Sequence, residues 1–182
     1  MWSIPNIITS FRIVLIPVFL AVFYLPIENA HFYAALIFVL AAITDGIDGY
    51  VARKLEQQTK FGAFLDPVAD KIMVAAALIV VVEYHQTLWI TIPALLIISR
   101  ELIISALREW MAEIGKRDSV AVSTIGKVKT TAQMIALTGL LWSANTFIYV
   151  IGAMAIYVAA ILTVWSMYIY LTAAWADLTK DS

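Results

Sequence analysis

Four aspartates stand in two pairs in the first half of this 182-residue chain. Asp45 and Asp48 belong to the run Asp45-Gly46-Ile47-Asp48-Gly49-Tyr50-Val51-Ala52-Arg53, and Asp66 and Asp70 follow Gly62. On helices the first pair is spaced i, i+3 and the second i, i+4, so each pair projects from one face, and Gly62 continues the second stripe. Four carboxylates converging on one pocket would repel and raise one another's pKa unless cations neutralised them. All-oxygen ligands favour hard divalent ions, and Mg2+ in particular is held by a few carboxylates together with substrate phosphates. Mg2+ is therefore the expected ion, with Mn2+ or Ca2+ as alternatives, and two ions could clamp the attacking and leaving oxygens of a phosphoryl displacement. Arg53 could hold diphosphate oxygens bidentately. Small residues at Gly49, Ala52 and Gly62 would let a flat base or a second helix approach closely.

A plainer reading exists for single members of this set. Asp66 before Pro67 reads well as an N-cap followed by proline at the first helical position. Capping does not account for all four aspartates together, nor for Arg53. The chain has no cysteine and only two histidines, His31 and His85, which argues against zinc. Neither histidine is a catalytic candidate; both fall in connections opposite the carboxylates, where a solvated or interfacial role is expected.

The elements that must position these residues follow from composition. With 63% hydrophobic residues, 14% charged and a mean hydropathy of +0.90, the chain is far more apolar than a soluble domain. Six apolar stretches, at 4–25, 32–50, 66–82, 88–107, 130–144 and 147–173, approach or exceed the roughly 20 helical residues that cross a hydrocarbon core. Spanning segments must be helical, because lipid offers backbone groups no partner. An all-α polytopic bundle of six membrane helices in a single domain, residues 1–182, is the expected architecture. The first stretch is too long for a removable signal peptide and contains Asn6, Ser10 and Arg12, so it reads as the first structural helix.

Lys and Arg fix the expected orientation, since cytoplasmic loops are enriched in both. Arg53, Lys54 and Lys60 fall in the second connection and Lys116, Arg117, Lys127 and Lys129 in the fourth, whereas the first, third and fifth contain neither type. Both termini and the charged loops should thus face the cytoplasm. No basic run suggests nucleic acid as a partner. Arg100, Glu101 and Arg108 on the fourth stretch, with Lys127 and Lys129, return cationic groups to the mouth that holds the aspartates. They suggest an anionic acceptor, its phosphate held by Arg or Lys and its hydroxyl presented to the metals. The alternative is that Arg100 and Glu101 form structural interhelical pairs, Arg108 snorkels, and the lysines only obey the positive-inside rule.

Asp45, Asp48, Gly49, Ala52, Arg53, Gly62, Asp66 and Asp70 fill every fixed position of the CDP-alcohol phosphotransferase signature, which this sequence therefore resembles. From average residue usage, eight fixed residues at fixed spacing arise by chance less than about once in a billion starting positions. The resemblance implies a six-helix integral membrane enzyme, usually a homodimer, that joins the phosphoryl-alcohol part of a CDP-alcohol to a second alcohol and releases CMP. It implies Asp45, Asp48, Asp66 and Asp70 as metal ligands, Asp70 also as the base that deprotonates the acceptor, and Gly49, Ala52, Arg53 and Gly62 as the lining of the CDP site. The residues alone leave open which carboxylate is the base. Pro5, Asn6, Thr9 and Arg12 are similar to the family's start, where a polar first helix borders the nucleotide pocket.

Three further segments, at 61–71, 99–113 and 115–134, resemble the bacterial phosphatidylglycerophosphate synthases within that family. That implies CDP-diacylglycerol as donor, glycerol 3-phosphate as acceptor, and a place in the bacterial inner membrane with the active site facing the cytoplasm. Arg100, Arg108, Lys127 and Lys129 are then the acceptor-binding candidates. Rival readings are the same chemistry with serine, inositol phosphate or a second phospholipid as acceptor, a divalent-cation carrier, and a polyprenyl-diphosphate transferase. A carrier would need neither Arg53 nor the small residues. A prenyl transferase would release inorganic diphosphate instead of CMP.

Overall fold

The structure, a computed structural model, describes residues 4–55, 60–116 and 124–179. Within helices it does not describe the side chains of residues 4–8, 45–55, 60, 61, 63, 66, 124–127 and 176. Among the described residues there are six α-helices and no strand: α1 (Ile4–Tyr24), α2 (Ala30–Leu55), α3 (Lys60–His85), α4 (Leu88–Glu113), α5 (Thr124–Trp142) and α6 (Thr146–Leu178). The most extensive packing joins α5 to α6, α1 to α2 and α4 to α6, while α3 touches α1, α2, α4 and α5. α3, which carries Gly62, Asp66 and Asp70, is therefore surrounded by the helices that supply the other candidates.

The helices run past the apolar stretches at the charged end. α2 reaches Leu55, α3 begins at Lys60, α4 continues to Glu113 and α5 begins at Thr124. Apolar composition marks only the part of a helix with hydrophobic surroundings, whereas the backbone ladder continues as long as each N–H finds its carbonyl. Two expectations change as a result. Arg53, Lys127 and Lys129 stand on helices and not in loops. Asp66 lies inside α3, so it is not a cap, and Pro67 is an interior helix proline. Such a proline removes one backbone hydrogen bond.

Where the chain turns, the local chemistry is specific. Asn29, Gln86 and Ser143 take positive φ in the three turns at the other end of the bundle. α4 stops where Gly115 adopts φ 74°, with the Lys116 N–H donating to Met111 O at 2.8 Å and the Gly115 N–H donating to Ala112 O at 3.1 Å. This paired pattern is a glycine-terminated helix end. α6 starts at Asn145, whose side chain accepts from the Ile148 N–H at 3.0 Å.

Fully buried Phe19, Phe38, Leu78, Ile97, Leu137 and Ile156 bring all six helices into one core. Ile104, Leu107, Met111, Tyr170 and Ala174 join α4 to α6 in a second cluster nearer the charged end. At that end Lys116 pairs with Asp177. At the opposite end His31 stacks on Phe23 at 4.5 Å and meets the edge of Tyr84, and the His85 Nε2–H donates to Leu140 O at 3.0 Å. The histidines were expected to be solvated or interfacial. They are half-buried because the aromatic rings around them cover their faces and a helix-end carbonyl needs a donor.

Among the described residues two helices are long and apolar enough to cross a membrane, Leu88–Glu113 and Thr146–Trp175, with shorter apolar segments at Thr9–Tyr24 and Ala30–Thr44. The described parts of α3 and α5 are less apolar, with Asp70, Lys71 and Glu83 on one and Lys129 and Gln133 on the other. α6 turns Phe147, Met154, Ile161, Trp165 and Tyr168 outward. An apolar face of that extent is consistent with a membrane protein.

α5 and α6 approach closely at Gly139 and Gly152. A Cβ built on Gly152 would lie 3.0 Å from the backbone N and the Cγ of Leu140 and 3.1 Å from the carbonyl carbon of Gly139, and one built on Gly139 would lie 3.2 Å from the Gly152 Cα. Small residues let two backbones meet in this way. Gly152→Ala must push the helices apart, and overpacking of this kind costs about 1–3 kcal/mol. The expected result is a fall in Tm of several degrees in detergent; an unchanged Tm would contradict the packing.

Candidate active site

α2 carries Asp45, Asp48, Gly49, Ala52 and Arg53 on one continuous helical backbone, and α3 carries Gly62, Asp66 and Asp70 one turn apart. The two helices are in contact. Gly62 is buried, as close packing requires. The side chains of Asp45, Asp48, Arg53 and Asp66, and the surroundings of Gly49 and Ala52, lie outside the described part of the structure. Asp70 is described and half-buried, and it faces two cavities.

The larger cavity, about 110 Å³, is walled by Asp70 and Lys71 from α3, Glu101 from α4, and Lys129, Thr130 and Gln133 from α5. Val74, Leu78, Ile98 and Met134 make its apolar side. The smaller one places Asp70 with Arg12 of α1 and Met73, against Phe38 and Ala41 of α2. Arg12 is 1% exposed and Thr9 beside it on α1 is equally covered. A buried guanidinium is costly to leave without anionic company, so its place beside a carboxylate-bearing wall is electrostatically coherent. Asp70 thus has a cationic residue on either side, Arg12 towards α1 and Lys129 towards α5.

Of the four acceptor candidates, the structure brings Lys129 to Asp70's cavity. Lys129 is 5% exposed, and its ammonium donates to Glu101 Oε1. Arg100, 8% exposed, donates to Ser166 Oγ at 2.8 Å and to the same Glu101 oxygen at 3.1 Å, with its guanidinium 5.5 Å from the centre of the Tyr170 ring. Arg100 therefore does not line the cavity; it fastens α4 to α6 and reaches the site through Glu101. Arg108 is exposed on α4. Lys127 is on α5, and its side chain lies outside the described part.

Glu101 and Gln133 are the residues that sequence reasoning passed over as site members. Glu101 stood out only as half of a structural pair. Gln133 had a signal that was available, since it lies one helical turn beyond Lys129. Placing Lys129 in a loop hid that relation.

An all-aspartate donor set on two touching helices, with Asp70 opening on a cavity, fits a hard divalent cation. Among the described residues no group of three or more metal-binding side chains forms, because three of the four aspartate side chains are outside that part.

Residues 2–165 match the model of the CDP-alcohol phosphatidyltransferase family. The chain belongs to that family. It is 59% identical over 177 residues, covering 97% of both chains, to a protein of Escherichia coli (strain K12) named CDP-diacylglycerol–glycerol-3-phosphate 3-phosphatidyltransferase. Relatives carrying the same name in Pectobacterium atrosepticum and Haemophilus influenzae are 61% and 58% identical over 179 and 180 residues. They cover 98% and 99% of this chain, and the matches extend over 98% and 97% of their own lengths. The family signature read from the sequence thus coincides with α2 and α3, the helices that hold the candidate metal and nucleotide residues.

Proposed function

We propose that this protein transfers the phosphatidyl group of CDP-diacylglycerol to glycerol 3-phosphate, giving phosphatidylglycerol phosphate and CMP. The observation that carries the reading is the cavity shared by Asp70 and Lys129, a carboxylate of the family signature facing a buried ammonium. The relatives' names supply the donor and acceptor.

In this reading Lys129 binds the acceptor's phosphate by a charge-assisted hydrogen bond. The C1 hydroxyl then faces Asp70, which takes its proton as the oxygen attacks the phosphorus that bears diacylglycerol. The bond from that phosphorus to the CMP oxygen breaks, and CMP departs in line. Gly49, Ala52 and Gly62 leave room for the cytidine, and Arg53 holds diphosphate oxygens. Asp45, Asp48, Asp66 and Asp70 would hold Mg2+, two ions in this reading, which supply charge stabilisation at the diphosphate. Arg108 and Lys127 add positive potential at the entrance and draw in the dianionic acceptor.

The six helices form a single membrane domain, residues 1–182, with both termini and the aspartate end on the cytoplasmic side of the bacterial inner membrane. The asymmetry of Lys and Arg supports that orientation. The donor's acyl chains stay in the bilayer against the apolar faces, and the protein works as a homodimer.

An acceptor panel tests the assignment. With CDP-diacylglycerol and Mg2+, CMP release is expected with glycerol 3-phosphate and not with serine, inositol phosphate or phosphatidylglycerol. Release with serine alone would move the protein to another branch of its family.

Glu101 has a distinct part in the same reading, that of a positioning residue. Its Oε1 ties Lys129 to the Arg100 anchor and keeps the ammonium on the acceptor wall. Glu101→Gln keeps the shape and weakens the tether, so KM for glycerol 3-phosphate should rise about threefold to tenfold. The KM for CDP-diacylglycerol should not move. A fall in kcat with both KM values unchanged would contradict this role.

A further inference from the structure

Gln133 is 4% exposed, lines the cavity that holds Asp70 and Lys129, and leaves its Oε1 buried without a hydrogen-bond partner. Buried side-chain amides are nearly always satisfied, so an unpaired one on a cavity that also holds Asp70, Glu101 and Lys129 asks for a ligand. The amide carries both a donor and an acceptor, and either end can be turned to the cavity. That combination suits a hydroxyl, which also donates and accepts.

Its place along the wall says which hydroxyl. Gln133 is four residues after Lys129 on α5, one turn away on the same face, at a separation of about 6 Å. Asp70 faces the cavity from α3. An acceptor that holds its phosphate at Lys129 and its C1 hydroxyl at Asp70 has one polar group left, the C2 hydroxyl between them.

We propose that Gln133 reads the C2 hydroxyl of the acceptor and so sets specificity for a glycerol phosphate over other phosphorylated alcohols. This rests on the acceptor assignment made above. Gln133 takes no part in proton transfer. A site with a buried group built to bond a substrate hydroxyl rejects the analogue that lacks it, because that group is then left unpaired.

The test compares glycerol 3-phosphate with 3-hydroxypropyl phosphate, which keeps the phosphate and the attacking hydroxyl and lacks only the one at C2. For the unaltered protein the expected ratio of kcat/KM is about 100-fold or more in favour of glycerol 3-phosphate. In Gln133→Met that ratio should fall below about tenfold, with the loss falling on glycerol 3-phosphate and little change for the analogue. Equal use of both acceptors by the unaltered protein would overturn the proposal, and this arm needs no folded variant. A folded Gln133→Met that loses activity equally on both would also overturn it, leaving Gln133 a packing residue or the partner of a structural water. Failure to use glycerol 3-phosphate at all, with CMP released to a different alcohol, would instead overturn the acceptor assignment, and the proposal with it.

Discussion

Asp70→Asn should lower the rate of CMP release by about 1,000-fold while the protein stays folded. Asparagine keeps the size of the side chain and its capacity to accept one hydrogen bond, and it removes the charge. The acceptor proton then has no carboxylate to receive it, and general base catalysis of this kind is worth about 100-fold to 10,000-fold. In the proposed metal site, loss of one carboxylate charge would act in the same direction. Asp70 is half-buried where two cavities meet, with Arg12 on one side and Lys129 on the other, so the substitution also changes the balance of a charged cluster. Thermal unfolding in detergent separates that effect from chemistry. A variant with an unchanged Tm and activity within tenfold of the unaltered protein would remove Asp70 from the role of base.

Lys129→Met should act on the acceptor alone. Hydrogen bonds to charged groups contribute about 1.5–3 kcal/mol, which corresponds to a rise in KM for glycerol 3-phosphate of about 10-fold to 150-fold. Methionine fills much the same volume beneath α4, and Glu101 keeps its bond to Arg100. The buried network therefore loses one cation without collapsing. KM for CDP-diacylglycerol is expected to stay constant. If both KM values rose together, Lys129 would be holding the donor or the fold, and the cavity would not be the acceptor site.

The signature aspartates were legible from spacing because i, i+3 and i, i+4 relations survive any detail of packing, and the structure has both pairs on helices. Six helices were legible because apolar stretches and turn residues alternate along the chain. The helix ends were not. Hydropathy stops where a helix leaves apolar surroundings, so it truncated α3 and α5 by about six residues each and mistook Lys129 for a loop residue.

The partners of single charges were also hidden. Arg100 and Glu101 are neighbours in sequence, yet their meaning depends on Ser166, Tyr170 and Lys129, which come from α6 and α5. Contacts across helices depend on rotation about each helix axis, which one sequence does not specify. Gln133 is the sharpest instance, since its spacing from Lys129 puts the two on one face of α5 but does not say that this face meets Asp70 across a cavity.

The most direct test of the central claim follows glycerol 3-phosphate labelled in its carbon chain. Purified protein, CDP-diacylglycerol, Mg2+ and the labelled acceptor are incubated, and CMP in water is compared with label in the lipid phase. Phosphatidyl transfer predicts that the two appear in equal amounts and that a chelator stops both. CMP without labelled lipid would make the protein a hydrolase, and release of inorganic diphosphate in place of CMP would contradict the account altogether.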